Sequence, residues 1–308
     1  MHDSISAIPA AAWNALAGTA YPFLQHAFLE LAEHTGSVSP DAGWTPRHLT
    51  LTDGGRLRAA LPLYEKSHSW GEFVFDWAWA HAYEQAGLEY YPKLVSAVPF
   101  TPATSHRLLR ADPGDDEAAS LLVRAATQLA ADSGCSSLHI LFPHASETTL
   151  LEDQGLLLRK DCQFHWHNRG YETFDDFLAT FTSAKRKKAR RDRRRVVENG
   201  IRFRRLHGAD LDRDTWSTVY ALIARTFMLR GSLPYFNQAF FEGLGERLAD
   251  NLLVILAEKQ DHPIAAAVFF ESATTLYGRY WGSDGHYDAL HFETCYSQGI
   301  AYCFATGK

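Results

Sequence analysis

The spacing of apolar residues in the first half of the chain predicts a mixture of helices and strands. FLQHAFLELAEHTG (23–36) has the spacing of a short amphipathic helix that ends at Gly36. RHLTLTDGGRLRAALPLY (47–64) predicts two strands joined by a hairpin turn at Asp53-Gly54-Gly55. The pattern then predicts a helix, a buried strand, a short helix and a long strand at 115–134, 136–142, 146–155 and 156–170.

The second half begins with helical signals and continues as a predicted sheet. Thr173 and Asp176 fit a capping box for a short helix, and Ser183 begins a second helix with a C-cap signal at Asn199-Gly200. IRFRRL (201–206) predicts a strand. The predicted helices that follow are 214–231 and 237–250, the predicted strands are 251–259, 262–272 and 274–282, and a last helix is predicted over 291–307.

Two pairs of segments repeat in the same order. PFLQHAFLE (22–30) matches PYFNQAFFE (234–242), and RLRAALPLY (56–64) matches HPIAAAVFF (262–270), at offsets of 212 and 206 residues. A tryptophan, Trp13 or Trp216, precedes each copy. The repeat predicts one structural unit used twice. The order of elements, α/β with an antiparallel start, is that of GNAT-type acyltransferase domains by analogy of fold.

The repeat also predicts the domain boundaries. We expect a first GNAT-like domain at 1–172 with an insertion at 65–110, linking helices at 173–200, and a second GNAT-like domain at 201–308. The strand, helix and strand that close the first copy have no counterpart in the second, so we expect the second domain to be incomplete at its C-terminus by about 60 residues. An open strand edge near 277–282 would then favour self-association.

Composition narrows the class of protein. The 308 residues are 46% apolar, which is enough for a large core and excludes disorder. Four cysteines without a C-x-x-C pair do not form a disulfide framework, and no Lys or Arg precedes Arg47, so a basic leader is not predicted. No stretch of 18 apolar residues occurs. We expect a cytoplasmic protein without a membrane span.

Positive charge is concentrated in one segment. SAKRKKARRDRRRVVENG (183–200) holds nine Lys or Arg in the eleven positions from Lys185 to Arg195, although the chain has a net charge of −6. A diffusely basic surface would be typical of a nucleic-acid-binding protein, whereas a local ridge indicates a local anionic ligand or an acidic partner within the protein. We expect Lys185, Arg186, Lys187 and Arg190 to bind phosphates and 193–195 to contact acidic surface.

Several long motifs resemble a bacterial family of predicted N-acyltransferases of peptidoglycan biosynthesis or recognition, related to the FemAB-type aminoacyltransferases. The motifs are KSHSWGEFVFDWAWA (66–80), YYPKL (90–94), VPFTP (98–102), QFHWHNRGY (163–171), KRK (185–187), LYGRYWG (276–282) and LHFETCY (290–296). The chain departs from the family in LRGSLPYF (229–236), which lacks a Lys and a Trp, and in the absence of a segment resembling E-x-G-A-Q-G-E-H-K.

The resemblance implies a tandem GNAT-like fold in a FemAB-like arrangement, with a cleft at the junction. It implies transfer of an acyl group from acyl-CoA or aminoacyl-tRNA to an amine of a small molecule or a peptidoglycan precursor. The Q/R-x-x-G-x-G/A loop of ordinary acetyl-CoA-binding domains is missing, which disfavours acetyl-CoA. The alternatives are a non-catalytic recognition module and a nucleic-acid-binding protein that uses the basic helix, 185–195. The oligomeric state is left open.

The insertion supplies the densest set of candidate residues. Acyl transfer to an amine needs a neutral nucleophile, a donor for the oxyanion and precise positioning. Glu72 and Asp76 lie among aromatic residues that would exclude water and shift pKa values, so both are candidate catalytic groups. The alternative is that EFVFDWAWA (72–80) is a core strand, with Asp76 as a cap. The candidate substrate-binding residues of this region are Lys66, His68, Trp79, Tyr91 and Lys93.

Other candidates lie in later segments. His165 and His167 share a face of the predicted strand; their spacing would suit a metal, but no third ligand is near in sequence, so we predict hydrogen-bonded catalytic histidines and no metal. Tyr277, Arg279 and Trp281 would share a strand face that suits a ring and an anionic group, or would form an ordinary aromatic core. At the start of the last helix, the candidates are His291 for binding and Glu293 for catalysis.

Overall fold

The computed structural model describes residues 1–18 and 20–308, which form two units, Met1–Cys162 and Gln163–Lys308. We call these unit 1 and unit 2. The helices of unit 1 are α1 (Ala10–Ala17), α2 (His26–His34), α3 (Trp77–Gln85), α4 (Asp116–Asp132) and α5 (Thr148–Asp153). Its strands are β1 (Trp44–Pro46), β2 (Leu49–Asp53), β3 (Arg56–Leu61), β4 (Tyr64–Lys66), β5 (Lys93–Ser96), β6 (Leu109–Arg110) and β7 (Leu138–Ile140).

Two sheets organise unit 1. One has the order β1-β4-β5-β7, in which β5 and β7 are parallel and the other pairs antiparallel; the other has the order β2-β3-β6. Leu94 and Leu138 pack with helix α4 in the apolar core. Because side chains alternate along a strand, Lys93 faces the opposite side of the first sheet. That second face is covered by the segment between β4 and β5.

Unit 2 contains one antiparallel sheet with the order β11-β10-β9-β8. Its strands are β8 (Ile201–His207), β9 (Leu252–Lys259), β10 (His262–Glu271) and β11 (Leu276–Ser283). Its helices are α6 (Phe174–Ala179), α7 (Ser183–Glu198), α8 (Arg213–Met228), α9 (Gln238–Arg247), α10 (Leu290–Phe292) and α11 (Gln298–Thr306), with a π-helical turn at Glu293–Ser297.

The two copies of the repeat share a pair of helices and a hairpin, although the first copy also has the short strand β1 between α2 and β2. Trp13 lies in α1 and Trp216 in α8; α2 begins at His26 and α9 at Gln238, which is the predicted offset of 212. Each helix pair is followed by an antiparallel hairpin, β2–β3 or β9–β10. The capping box at Thr173 is present. The mixed α/β class is confirmed.

Two strand predictions are wrong. Residues 156–170 form no strand, because this charged run has no neighbouring strand to pair with and exposes Leu157 and Phe164 almost fully. The alternative of a core strand at 72–80 also fails, since α3 begins at Trp77 and none of its residues is buried. The strand predicted at 136–142 is shorter, Leu138–Ile140, and half-buried. In the part of the chain that the structure describes, no helix is both long and apolar enough to cross a membrane.

Candidate functional site

Lys93 lies at the centre of a buried polar cluster in unit 1. Its Nζ is 2.9 Å from Glu72 Oε2 and 2.5 Å from Asp76 Oδ2, and it donates to Ser69 Oγ at 2.9 Å. The Tyr90 hydroxyl donates a further hydrogen bond of 2.7 Å to Asp76 Oδ2. All five residues are buried. The structure therefore brings together two candidate catalytic carboxylates and one candidate binding lysine.

The sheet and its covering segment supply opposite charges. Lys66 at the end of β4 lies directly opposite Lys93 at the start of β5, and like charges in such a pair are destabilising. The two carboxylates come from the segment between β4 and α3 and offset this repulsion. Gly71 permits the close approach of that segment: its φ is +82°, and a Cβ there would lie 2.4 Å from a ring carbon of Phe100.

Burial and hydrogen bonding set the ionisation of the cluster. Burial raises the pKa of the Glu72 carboxyl, and the Lys93 charge only partly opposes this. Burial also raises the pKa of Asp76, but hydrogen bonds from Lys93 and Tyr90 lower that pKa by more, so that it lies below its ordinary value. Burial and the bond to Asp76 raise the pKa of Tyr90 well above its usual range. At neutral pH an ionised Asp76 therefore accepts a hydrogen bond from a neutral phenol.

Lys66 is buried beside the cluster with few polar partners. Its Nζ lies 3.8 Å from the Trp44 ring centroid and donates to the Trp70 carbonyl at 3.3 Å. Burial lowers the pKa of this amine to about 7, and the charge of Glu72 opposes the shift only in part. Near neutral pH the amine is therefore close to half-protonated.

Two residues of the cluster, Ser69 and Tyr90, and the neighbouring His139 were not selected from the sequence. The Ser69 hydroxyl also forms a 2.8 Å hydrogen bond with Tyr91, a predicted binding residue. His139 Nε2 lies 2.9 Å from Ser137 Oγ and 3.5 Å from the Tyr90 hydroxyl. Burial lowers the pKa of His139 to about 4, which keeps the imidazole neutral. The motif YYPKL was an available signal for Tyr90, and the signal for His139 was its alternation with apolar side chains along SSLHILF. The way in which the segment between β4 and β5 covers the sheet could not be predicted from the sequence.

An open groove of about 510 Å³ adjoins the cluster. Its lining residues are Trp77, Ala80, His81, Glu84, Gly87, Leu88, Glu89, Tyr90 and Tyr91. Tyr90 belongs to both groove and cluster, and its hydroxyl connects the groove with Asp76. Trp79 is 56% exposed and does not line the groove. His68 lies outside the cluster, where its Nδ1 accepts a hydrogen bond from the Trp70 amide and burial lowers its pKa.

The paired histidines belong to unit 2 and are exposed. His165 and His167 are not on a strand, contrary to the sequence prediction, and their ring centroids are 6.2 Å apart. His165 Nε2 lies 3.3 Å from the Oε1 atom of the nearby Gln163 side chain. Across residues 1–18 and 20–308, no group of three or more His, Cys, Asp or Glu side chains converges as a metal site would require.

A β-bulge changes the facing of the aromatic strand β11. Trp281 pairs with Ala267 and Tyr277 with Phe270, with a register shift at Arg279. Positions 267 and 270 face opposite sides of β10, so Tyr277 and Trp281 also face opposite sides. The predicted shared face of Tyr277, Arg279 and Trp281 is therefore wrong. Trp281 contacts His291 at a ring distance of 5.2 Å.

Glu293 is buried at the start of the π-helical turn. It accepts from Arg193 Nε, 3.3 Å from Oε1, and from Gln298 Nε2 at 2.8 Å. Arg193 also lies 4.0 Å over the Phe174 ring. The ion pair between Arg193 and Glu293 joins α7 to the π-helical turn that follows the sheet. Glu293 therefore contributes to the fold independently of any catalytic role. His291, two residues earlier, is exposed beside Trp281.

The basic helix α7 divides into paired and solvent-exposed cations. Arg193 pairs with Glu293, and Arg195 lies 3.3 Å from Asp288, so the expected contact of 193–195 with acidic surface is confirmed at these two positions. Arg190 pairs with exposed Asp175. Arg186 is half-buried and donates to the Phe181 carbonyl at 3.3 Å. The side chains of Lys185, Lys187 and Lys188 point into solvent.

The chain was compared with known families, curated proteins and solved structures. A FemAB-like family model, described as peptidoglycan biosynthesis/recognition, matches residues 4–308. No curated protein matches the chain. The C-terminal domain of a candidate lysylphosphatidylglycerol synthetase from Agrobacterium fabrum has a TM-score of 0.53 at 9% identity, covering 97% of this chain and 76% of the other. The crystal structure of FemX gives a TM-score of 0.44 at 12% identity, covering 86% and 75%.

The likeness to the synthetase domain concerns the fold alone, because the sequence identity is low. The family match is of a different kind, since it extends over nearly every residue and includes both units. The chain therefore belongs to the FemAB-like family of peptidoglycan biosynthesis/recognition proteins.

Proposed function

We propose that this protein is an aminoacyltransferase that moves an acyl group from aminoacyl-tRNA to an amine of a peptidoglycan precursor. Family membership supports the reaction class and the pathway. The exposed lysines of α7, Lys185, Lys187 and Lys188, support a donor with several phosphates, because closely spaced cations bind a phosphate backbone well. Acyl-CoA is the alternative donor, and the missing acetyl-CoA loop disfavours it.

The chemistry requires one base and one proton donor. An amine nitrogen forms a bond to the acyl carbon while the bond from that carbon to the ribose oxygen of the donor breaks. An acceptor that enters as an ammonium ion loses two protons: one goes to the leaving oxygen and the other to a base. We assign the role of base to Asp76. Its carboxylate is ionised, and it accepts a hydrogen bond from Tyr90, which lines the groove.

The single observation that supports this assignment is the position of the Tyr90 side chain between the groove and Asp76. Its ring lines the groove and its hydroxyl donates to Asp76 Oδ2 at 2.7 Å. The phenol can pass its proton to the carboxylate while it receives one from the acceptor amine, and its raised pKa means that no phenolate accumulates. Lys93 and Ser69 are positioning residues that hold Asp76 and Tyr91 in place.

The test is turnover by the full chain with a charged tRNA pool and a nucleotide-linked peptidoglycan precursor, followed by mass spectrometry of the product. We expect a new amide and a drop in kcat of about 10²–10⁴-fold in Tyr90→Phe. Tyr83→Phe is the matched control, since the Tyr83 ring lies 5.1 Å from that of Tyr90, whereas the hydrogen bond to Asp76 Oδ2 comes from Tyr90.

Three outcomes would contradict parts of the proposal. Equal activity of the two phenylalanine variants would refute the relay through Tyr90. Turnover with acyl-CoA but not with aminoacyl-tRNA would refute the donor. Binding of the precursor without turnover by any donor would refute the enzyme and favour a recognition module.

A further inference from the structure

His139 contacts Tyr90, and the proposed reaction gives it no role. It lies on β7 opposite Val95 of β5, so its side chain shares a face of the sheet with Lys93. Its Nε2 atom is 3.5 Å from the Tyr90 hydroxyl oxygen and 2.9 Å from Ser137 Oγ. Tyr90 is buried and Ser137 is half-buried. One imidazole nitrogen therefore lies between a buried hydroxyl group and one that reaches water.

Asp76 needs a route for the proton that it receives in the proposed reaction. The carboxylate is buried, and its Oδ2 atom accepts hydrogen bonds from Lys93 and Tyr90. An ammonium group has no lone pair with which to take a proton, whereas a phenol oxygen can take one proton and release another. Once the acceptor fills the groove, it displaces the water on that side of Tyr90. A route on the other side of the phenol leads to His139.

We propose that His139 conducts this proton from Tyr90 to Ser137 and on to water, so that Asp76 is ionised again for the next turnover. The proton on Asp76 Oδ2 returns to Tyr90 Oη while the phenol proton moves to His139 Nε2. The imidazolium then gives that proton to Ser137 Oγ as the serine hydroxyl proton passes to water. All four groups recover their starting state, in which Nδ1 of His139 carries the hydrogen and Nε2 accepts from Ser137.

The role of His139 in turnover rests on the proposed acyl transfer. His139 acts through Tyr90 and does not contact the acyl group, so it supports the base and is not itself a catalytic residue. The proton path as such does not depend on that reaction, because the hydroxyl proton of Tyr90 also exchanges with water in the free protein.

The proton affinities along the path are matched. Burial raises the pKa of Asp76, but hydrogen bonds from Lys93 and Tyr90 lower it by more, so that it lies below its ordinary value. Burial lowers the pKa of His139 to about 4, and the charge of Lys93 adds to this effect. The neutral imidazole therefore takes a proton from the acid form of Asp76 at little cost, and the imidazolium releases it readily at neutral pH.

The test is hydrogen exchange of the Tyr90 hydroxyl in the full chain, which needs no substrate. With tyrosine labelled with ¹³C at Cζ, a mixture of H₂O and D₂O gives one averaged NMR signal for a fast-exchanging hydroxyl and two signals for a slow one. His139→Gln keeps a side chain that hydrogen bonds to Ser137 but carries no proton at neutral pH. We expect the exchange of Tyr90 to slow by at least about tenfold in this variant. Tyr64, buried on β4, is the internal reference and should exchange alike in both proteins.

A second variant and a control locate the path. Ser137→Ala removes the hydroxyl that links His139 to water, and it should also slow the exchange of Tyr90. Because position 137 is only half-buried, this variant carries the test if His139→Gln does not fold. His81→Gln is the matched control, since His81 lines the groove beside Tyr90 but its ring nitrogens contact side chains of its own helix. It should leave the exchange of Tyr90 unchanged. Circular dichroism melting verifies that each variant is folded.

Turnover gives a second readout. In the acyl-transfer assay, His139→Gln should lower kcat by about 10²-fold and leave KM unchanged, because the proton leaves after the substrates have bound. Imidazole added to His139→Ala should restore about a tenth of the lost activity or more, since a free imidazole at the vacated position can carry the proton. A purely structural role of His139 would give no such rescue.

The outcomes separate this inference from the proposed function. Unchanged exchange of Tyr90 in His139→Gln and Ser137→Ala would overturn the path even if the enzyme transfers acyl groups. Slower exchange in both variants would support the path even if no donor gives turnover, and only the proposed reaction would then fail. Slower exchange together with an unchanged kcat would overturn the role in turnover, because the proton would then leave Asp76 by another route.

Discussion

Replacing Lys93 with methionine tests whether the buried cluster is held together by charge. The ammonium is fully buried and lies 2.9 Å from Glu72 and 2.5 Å from Asp76. Methionine has a similar length but no charge, so Lys93→Met leaves two buried carboxylates, with Lys66 as a remaining cation whose charge acts on Glu72. Breaking a buried ion pair from one side typically costs about 3–5 kcal/mol. We expect a loss of that size in the free energy of unfolding of unit 1.

The loss is large enough to measure by calorimetry. For a domain of this size, each kcal/mol shifts Tm by roughly 2–4 °C, so the predicted decrease is roughly 6–20 °C. The triple variant Glu72→Gln/Asp76→Asn/Lys93→Met should recover much of it, because neutral side chains need no counter-ion. Lys160→Met, at an exposed position of unit 1, is the control and should change the unfolding free energy by less than about 0.5 kcal/mol.

The pH dependence of the same variant gives a second check. Without Lys93 the carboxyl pKa values in the folded state rise above their unfolded values, so the penalty is absent below the unfolded values near 4 and develops as the pH rises. The decrease in Tm should therefore be smaller at pH 4.5 than at pH 7.5. A single variant within about 1 kcal/mol of the unchanged protein, with no recovery in the triple variant, would refute the electrostatic account.

Two further predictions concern the other lysines. Burial lowers the folded-state pKa of Lys66 to about 7, so the unfolded chain binds this proton more tightly between pH 7 and 10. The free energy of unfolding of the unchanged protein should therefore rise, relative to that of Lys66→Met, by up to about 1.4 kcal/mol per pH unit in that window. A difference between the two proteins that does not depend on pH would contradict this. Replacing Lys185, Lys187 and Lys188 with glutamine should flatten the log–log salt dependence of tRNA binding by roughly 2–3 units, as measured by filter binding, whereas Arg202→Gln should not; an unchanged slope would identify α7 as a solvated helix.

The sequence predicted local elements well where one segment determines them. Helices were predicted over 23–36 and 237–250, and the structure has α2 at His26–His34 and α9 at Gln238–Arg247, because apolar spacing acts within a few positions. The sequence did not predict features of the structure that depend on contacts between distant segments. The bulge at Arg279 shifts the register by one residue, and no local pattern encodes that shift.

The candidate site follows the same division. Glu72, Asp76 and Lys93 were selectable because charged residues in an aromatic segment are unusual. Their mutual contacts depend on how the segment between β4 and α3 covers the sheet, which is a tertiary property. Tyr90 was therefore missed although it stands beside Tyr91 in the same motif. His139 was missed because 136–142 was predicted only as a buried strand, and its histidine was not considered as a site residue.

A buried charge can serve the fold alone, and Arg107 shows what that requires. Arg107 is fully buried, but its guanidinium donates to the carbonyls of Leu141, Ser105 and Ala103, so every contact fixes a loop. Among the described residues, the Lys93 cluster differs from Arg107 in its unpartnered carboxylate oxygens and in its connection to a groove. Within the part of the chain that the structure describes, Glu72 Oε1 and Asp76 Oδ1 have no hydrogen-bond partner. Apolar residues of the same volume would generally be as stable as such a cluster or more so. The hydrogen bond that connects Asp76 through the Tyr90 hydroxyl to an open groove is the feature that the proposed proton transfer requires.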